Sequence, residues 1–278
     1  MEVLTMLPRR IGVALCWAYV GLVLLFLYAP LAPPFVFSFT EKGVGAFTFE
    51  WYAGLGKSVI LVKSIRTSLV VAALTALITP PLALLAAMAV RELRVPRAIL
   101  LLVLLPLFIP GISMGLATAF FFQQLGVLPS LWTIAVVHVM WALPFAFLII
   151  LTVMATFDPV YLEAAYVHGA GRLRAFLDIE LPLIGPGVLG AAIFSMILSF
   201  NETVRTALVQ GPWNTVQTYI WSSYLQIGLS PALYAVMSIL IALTLALVLV
   251  LLVYALRRGR TARRGAPAQS SSTTTSSA

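Results

Sequence analysis

The sequence has few charged residues, one cysteine and two histidines. Only 9% of its 278 residues are charged, whereas a soluble domain carries about 25%, so a lipid bilayer must replace water as the main solvent. The single cysteine, Cys16, excludes an internal disulfide and a cysteine-based metal cluster. The sequence also lacks the full phosphate-loop pattern of Gly, four residues, Gly-Lys-Ser/Thr, because Trp51 stands in the place of the first glycine before Gly56, Lys57 and Ser58. We therefore expect no metal site, no cofactor and no ATP binding in this chain itself.

Long apolar runs take the place of the missing charge, since 62% of the residues are hydrophobic. A bilayer core of roughly 30 Å requires about 20 apolar residues in a helix. Six stretches meet this requirement, at residues 11–31, 68–90, 99–123, 133–155, 184–200 and 231–256. They predict an all-α integral membrane protein with six transmembrane helices in one domain over residues 11–256. The first stretch is interpreted as a retained anchor and not as a cleaved signal peptide.

The basic residues predict the orientation of these helices. Twelve of the 17 lie at one set of ends: Arg9, Arg10, Arg91, Arg94, Arg97, Arg172, Arg174, Arg257, Arg258, Arg260, Arg263 and Arg264. The positive-inside rule then places residues 1–10 and both termini in the cytoplasm, together with the loop at 158–182. We expect residues 257–278, basic and then rich in serine and threonine, to form a disordered cytoplasmic tail.

The loop at residues 158–182 is the one long polar interval between apolar runs. Asp158 and Pro159 predict the start of a helix over Val160–Val167, and Gly169 predicts its end in a left-handed conformation. A second short helix follows, and we expect Pro182 to end it before the fifth span. The loop carries neither a nucleophile–base pair nor a metal-ligand cluster. These features favour a docking surface over an active site, although an ordinary polar loop with a good helix cap stays an alternative.

The same loop carries a spaced pattern: Glu-Ala-Ala, three residues, Gly, nine residues, Ile, one residue, Leu-Pro. The residues in these positions are Glu163, Ala164, Ala165, Gly169, Ile179, Leu181 and Pro182. The pattern resembles the EAA loop of permease subunits of binding-protein-dependent ABC importers. In that family the loop forms coupling helices that insert into a groove on the ATPase subunit. The resemblance therefore implies a type I ABC importer permease fold and assigns these seven residues to ATPase coupling.

The resemblance covers nearly the whole chain except the tail. The runs "FTFEWYAGL", "SIRTSLVVA" and "SFNETVRTALVQGPWNTVQTYIWSSYLQIGL" are similar to the spermidine/putrescine-type branch. What this implies is a subunit that catalyses nothing alone, lies in the bacterial inner membrane and helps to import a polyamine. The implied partners are an ATPase dimer that binds ATP and magnesium, a second permease, identical or different, and a periplasmic or lipid-anchored solute-binding protein. No nucleic-acid partner is implied.

Four residues are candidates for the substrate pathway: Asn201, Glu202, Trp141 and Tyr224. Glu202 could attract an ammonium group, or it could lie in the water of the lipid headgroups or pair with Arg205 one helical turn later. Trp141 and Tyr224 could stack on a cation, or they could serve only in packing. The alternatives left open are an importer for another solute, such as iron, sulfate or a phosphonate, a secondary transporter, and a membrane enzyme.

A bend is predicted in the third span. Pro106 and Pro110 remove backbone donors from the helical ladder there, and Gly111 and Gly115 follow them. His138, in the fourth span, is interpreted as a hydrogen-bonding residue between helices.

Overall fold

The computed structural model describes residues 9–40, 46–93 and 96–264. These residues are almost entirely helical, and their one β contact is an isolated bridge between Thr40 and Phe47. The α-helices are α1 (Arg9–Tyr28), α2 (Ala32–Ser38), α3 (Glu50–Leu55), α4 (Val59–Glu92), α5 (Pro96–Leu104), α6 (Gly111–Gln124), α7 (Leu131–Ala155), α8 (Val160–Val167), α9 (Arg172–Ala175), α10 (Leu181–Phe200), α11 (Val204–Val209), α12 (Val216–Ile227) and α13 (Pro231–Arg264). The prediction of an all-α chain is confirmed.

The chain divides into two compact units, Met1–Leu55 with Leu229–Ala278, and Gly56–Gly228. In the first unit, α13 packs against α2 and α3. Tyr52 connects all three, because its hydroxyl donates to Ser38 Oγ at 2.7 Å and lies 2.8 Å from Ser238 Oγ. The side chains of α1 are mostly exposed, with Trp17 at 70%, as expected for a helix whose solvent is lipid.

The second unit has a core made by α4, α7 and α10, which pack against one another. The core is rich in small side chains, which allow close approach of helix backbones. Its buried members are Ala83, Ala87, Ala146, Phe147, Ile150, Met154, Ile184 and Ala191. The approach is closest at Gly187, where an added Cβ would lie 2.5 Å from Val153 Cγ2.

Four of the described helical stretches are long and apolar enough to cross a bilayer: Ile11–Ser38, Val59–Glu92, Leu131–Ala155 and Arg172–Phe200. The pair Pro96–Phe108 and Gly111–Gln124 brings the number to five if it forms one span. The sixth predicted span lies in α13, where the apolar helix Pro231–Ala246 is shorter than these. The helical, apolar character of the six stretches is therefore confirmed, whereas the number of six spans and the single domain over 11–256 stay predictions.

Three boundaries differ from those expected. The second apolar helix begins at Val59 instead of residue 68, because Ser58 caps it by accepting the Leu61 N–H at 3.3 Å. The third is not one continuous helix, since its two halves meet at 102°. Pro110 stands directly before the second of them, so the predicted bend is confirmed and is sharper than a kink. The last helix continues to Arg264, whereas disorder was expected from 257; residues 265–278 of the predicted tail, like 1–8 at the N-terminus, lie outside the described residues.

Candidate functional site

The first half of the 158–182 segment folds as its sequence predicts. Asp158 Oδ1 accepts the Val160 N–H at 3.0 Å and begins α8. Gly169 has φ +83° and ends that helix. The Gly169 N–H donates to Tyr166 O, and the Ala170 N–H donates to Ala165 O, both at 3.0 Å. These two bonds form a Schellman motif, so the left-handed end predicted from the glycine is confirmed.

The second half of the segment departs from the prediction. After α9, residues Phe176–Glu180 form a π turn that runs without a break into α10. The Leu181 N–H donates to Phe176 O, five residues earlier, so Pro182 lies in the first turn of α10 and does not end a helix. The wider turn before Pro182 displaces the carbonyls with which its ring would otherwise clash. The predicted break before the fifth span was wrong for this reason.

The seven residues of the Glu-Ala-Ala pattern do not share one surface. Glu163, Ala164, Gly169 and Pro182 are exposed, Ile179 and Leu181 are half-buried, and Ala165 is buried. Large apolar side chains stand beside the exposed members, with Val167 at 85% exposure and Leu173 at 72%. The segment therefore presents large apolar side chains among exposed charged ones, which are Asp158, Glu163, Arg172, Arg174 and Asp178. An exposed apolar surface of this kind is typical of contact sites for another protein.

An ion pair between a buried carboxylate and an exposed arginine attaches this segment to the end of α4. Glu180 is 1% exposed, and both of its carboxylate oxygens contact the Arg91 guanidinium: Oε1 binds Nη1, and Oε2 lies 3.3 Å from Nη2. Arg91 Nε also lies 3.1 Å from Glu92 Oε1, at the surface. Arg91 was expected only to mark the cytoplasmic side, and the pair was not predicted, since 89 residues separate its members.

A second ion pair, with both members buried, forms the centre of what we call the arginine cluster, defined by His138, Trp141, Ser199, Glu202, Arg205 and Thr206. Glu202 Oε2 lies 2.6 Å from Arg205 Nη1, and Glu202 Oε1 accepts the Arg205 N–H at 2.9 Å. Arg205 Cζ lies 3.9 Å from the centroid of the Trp141 ring. Both charged residues are buried, so each offsets the cost of removing the other from water.

Within the arginine cluster, His138 connects α7 with α10 and α11. Its Nδ1 lies 2.7 Å from Ser199 Oγ of α10, and its Nε2 lies 2.7 Å from Thr206 Oγ1 of α11. His138 itself is on α7 and is 1% exposed. Its predicted role as a hydrogen-bonding residue between helices is confirmed.

The glycines after the 102° bend allow α6 to approach the arginine cluster. An added Cβ at Gly111 would lie 3.3 Å from Arg205 Cζ, and one at Gly115 would lie 2.7 Å from Leu208 Cδ1. Both contacts are to α11, which packs against α6. The sequence predicted a bend at these glycines and did not predict what they contact.

The structure brings together three of the four candidate pathway residues. Trp141 and Glu202 meet through Arg205. Asn201 is exposed, its Nδ2 donates to Ile197 O at 2.9 Å, and it lines an open cleft of about 410 Å³ with Gly111, Ile112, Glu202, Thr203, Val204 and Arg205. Tyr224 lies apart on α12, where it packs against Trp221 with ring centroids 6.2 Å apart. A role of these residues in binding a substrate stays a prediction.

Comparison with known proteins gives a consistent pattern. Residues 79–261 match the family described as "binding-protein-dependent transport system inner membrane component". The spermidine/putrescine transport system permease protein PotC of Escherichia coli K12 is 27% identical over 248 residues, which cover 86% of this chain and 93% of PotC. The putrescine transport system permease protein PotI of the same organism is 25% identical over 240 residues, covering 81% of this chain and 85% of PotI.

A solved structure has the same fold. It is a bacterial alginate ABC transporter in complex with an alginate-pentasaccharide-bound periplasmic protein. The matching chain has a TM-score of 0.68 and 20% sequence identity, and the match covers 87% of this chain and 92% of that chain.

Proposed function

Since the chain belongs to the family of binding-protein-dependent transport system inner membrane components, and is thus a multi-pass permease subunit of an ABC importer, we propose that its substrate is a polyamine such as spermidine or putrescine. The observation that carries this assignment is the similarity to PotC over 86% of the chain. A match of that extent includes α11, α12 and the arginine cluster as well as the 158–182 segment.

The 158–182 segment is the proposed contact with the ATPase dimer. Its exposed apolar side chains, including Val167 and Leu173, would contact water unless another protein covered them. Glu163, exposed on α8, supplies a charge for an arginine or a backbone donor of that partner. Ala165 is buried and lies on the inner face of α8. Gly169 ends α8 in the middle of the segment, and Ile179, Leu181 and Pro182 form its junction with α10.

The cleft beside Asn201 is the proposed place where the substrate passes. Asn201 is exposed there and offers an uncharged polar side chain. Glu202 and Trp141 act through Arg205, because the arginine already neutralises the carboxylate and covers the indole ring. Tyr224, 46% exposed on α12, is a separate aromatic candidate. A charge-balanced cleft would let a polycation pass without holding it tightly, as a pathway requires.

The remaining parts of the proposal follow from the permease assignment. The importer contains a second permease, identical or different, and receives its substrate from a periplasmic or lipid-anchored binding protein. Six spans place both termini and the 158–182 segment in the cytoplasm. ATP and magnesium bind to the partner ATPase and not to this chain.

Co-purification from the native membrane in mild detergent tests the assembly. The tagged chain should recover an ATPase subunit, and a Glu163→Arg variant should recover much less although it inserts normally. Uptake of radiolabelled spermidine by the reconstituted complex, with its binding protein, tests the substrate. An intact chain without ATPase would contradict the importer assembly, and ATP-driven import of a different solute would contradict the polyamine assignment.

A further inference from the structure

The Arg91–Glu180 pair has the geometry of a directional link. Arg91 lies in the last turn of α4, and Glu180 is the last residue of the π turn. Two guanidinium nitrogens face two carboxylate oxygens. A two-pronged contact of this kind fixes the orientation of its partners as well as their distance.

The two residues belong to elements that otherwise meet through apolar contacts. The π turn continues into α10 as one helical stretch, Arg172–Phe200, so the second half of the 158–182 segment moves with α10. Ile184 and Ala191 of α10 share one buried apolar cluster with Ala83 and Ala87 of α4, and the two helices pack together. Apolar contacts are non-directional, and small alanines set the spacing of two helices without fixing their register along the axis.

An ion pair with a buried member is weak evidence for stability, because packed apolar residues often stabilise a protein equally well. Its best-attested use is to specify one register among several. The position of this pair fits such a use, since Glu180 is buried while the Arg91 side chain is 37% exposed. The link therefore sits where the 158–182 segment meets the end of α4.

We propose that the Arg91–Glu180 pair is a positioning link that holds α4 in register with the 158–182 segment. When the ATPase displaces this segment, the link makes α4 move together with α10. Without it, the segment and α10 slide along α4, and ATP hydrolysis is separated from transport. This inference rests on the proposed function, because it requires the segment to be the ATPase contact.

The test uses the complete complex, purified from its native membrane and reconstituted in vesicles with the binding protein. The measured quantity is radiolabelled spermidine imported per ATP hydrolysed, a ratio that does not depend on how much complex assembles. Glu180→Gln keeps the shape of the side chain and removes its charge. Arg91→Lys keeps the charge and loses the planar fork. The matched control is Glu92→Gln, which removes the exposed acidic partner of the same arginine.

The ratio should fall at least about tenfold in Glu180→Gln and about threefold in Arg91→Lys, and it should stay within about twofold in Glu92→Gln. Co-purified ATPase should be unchanged in all three. An unchanged ratio in assembled Glu180→Gln and Arg91→Lys complexes would overturn the link and leave the proposed function intact. If Glu180→Gln does not assemble, Arg91→Lys decides alone. Failure of the wild-type chain to recruit an ATPase would overturn both proposals.

Discussion

The Glu202–Arg205 and Arg91–Glu180 ion pairs differ in the distance along the chain between their partners. Glu202 and Arg205 are one helical turn apart, and the same carboxylate that pairs with the guanidinium also accepts the Arg205 backbone N–H. Arg91 and Glu180 are 89 residues apart and join two helices. The near pair is a local structure that other helices pack around, whereas the far pair exists only because α4 and α10 pack together. This difference fits the proposed roles, in which the near pair lies beside the substrate pathway and the far pair transmits movement of the 158–182 segment to α4.

The largest effect is expected from breaking the near pair with Arg205→Met. Glu202, 6% exposed, would be left without its partner, and removal of one member of a buried pair costs about 3–5 kcal/mol. Arg66→Met, at an exposed position of α4, is the control. Thermal unfolding of the purified protein in detergent should show a large fall in Tm for the first variant alone. An equal Tm for both would mean that water reaches Glu202 freely.

The packing of α10 in the core that it shares with α4 and α7 is tested at the α7 contact by Gly187→Ala. The new Cβ would meet Val153 at 2.5–2.8 Å, and overpacking of this kind costs about 1–3 kcal/mol. Gly190→Ala on the same helix has no neighbouring atom within 4 Å, so it should be neutral or stabilising by about 0.5–1 kcal/mol. Opposite shifts of Tm in the two variants are expected. A neutral Gly187→Ala would show that α7 and α10 can separate at little cost. The core around α10 would then be too loose to hold the Arg91–Glu180 pair in one geometry.

What the sequence could predict is divided in the same way as the two pairs. The cap at Asp158, the left-handed end at Gly169 and the spacing of Glu202 and Arg205 depend on neighbours within one or two turns, and each was predicted or weighed. The contact of Arg91 with Glu180, and that of Trp141 with Arg205, depend on how helices pack, which a single sequence does not encode in any local pattern. The length of the apolar runs predicted the helices themselves. It did not give their ends, because an end depends on local caps such as Ser58 and not on apolar length.

The errors also have physical causes. Pro182 was expected to stop a helix, and the π turn before it removes the clash that would have done so. The third span was expected to bend, but the size of the bend depends on where α6 finds a partner. That partner is α11, which the two glycines let α6 approach.

A smaller effect is expected at the C-terminal end of α8, within the 158–182 segment. Gly169→Ala places a Cβ at φ +83°, which costs about 1–2 kcal/mol. Gly171→Ala, with φ −73° and no neighbouring atom within 4 Å, is the matched control. Hydrogen exchange of the amides that form the Schellman motif should be about 5–30-fold faster in the first variant. Equal exchange in both variants would mean that the motif does not hold the end of α8.

The smallest effect is expected from Trp141→Phe, and it distinguishes the contribution of the ring from that of the carboxylate in the arginine cluster. A smaller ring would remain under the Arg205 guanidinium, so the loss should be about 0.5–1 kcal/mol. Trp221→Phe, whose ring packs on Tyr224, is the control for replacing an indole. In the same thermal assay, the Tm of Arg205→Met should be well below that of Trp141→Phe. The Tm of Trp141→Phe should be slightly below that of Trp221→Phe. If Trp141→Phe were as damaging as Arg205→Met, the indole and not the carboxylate would be what keeps the buried arginine in place, and the near pair could no longer be treated as a self-contained local structure.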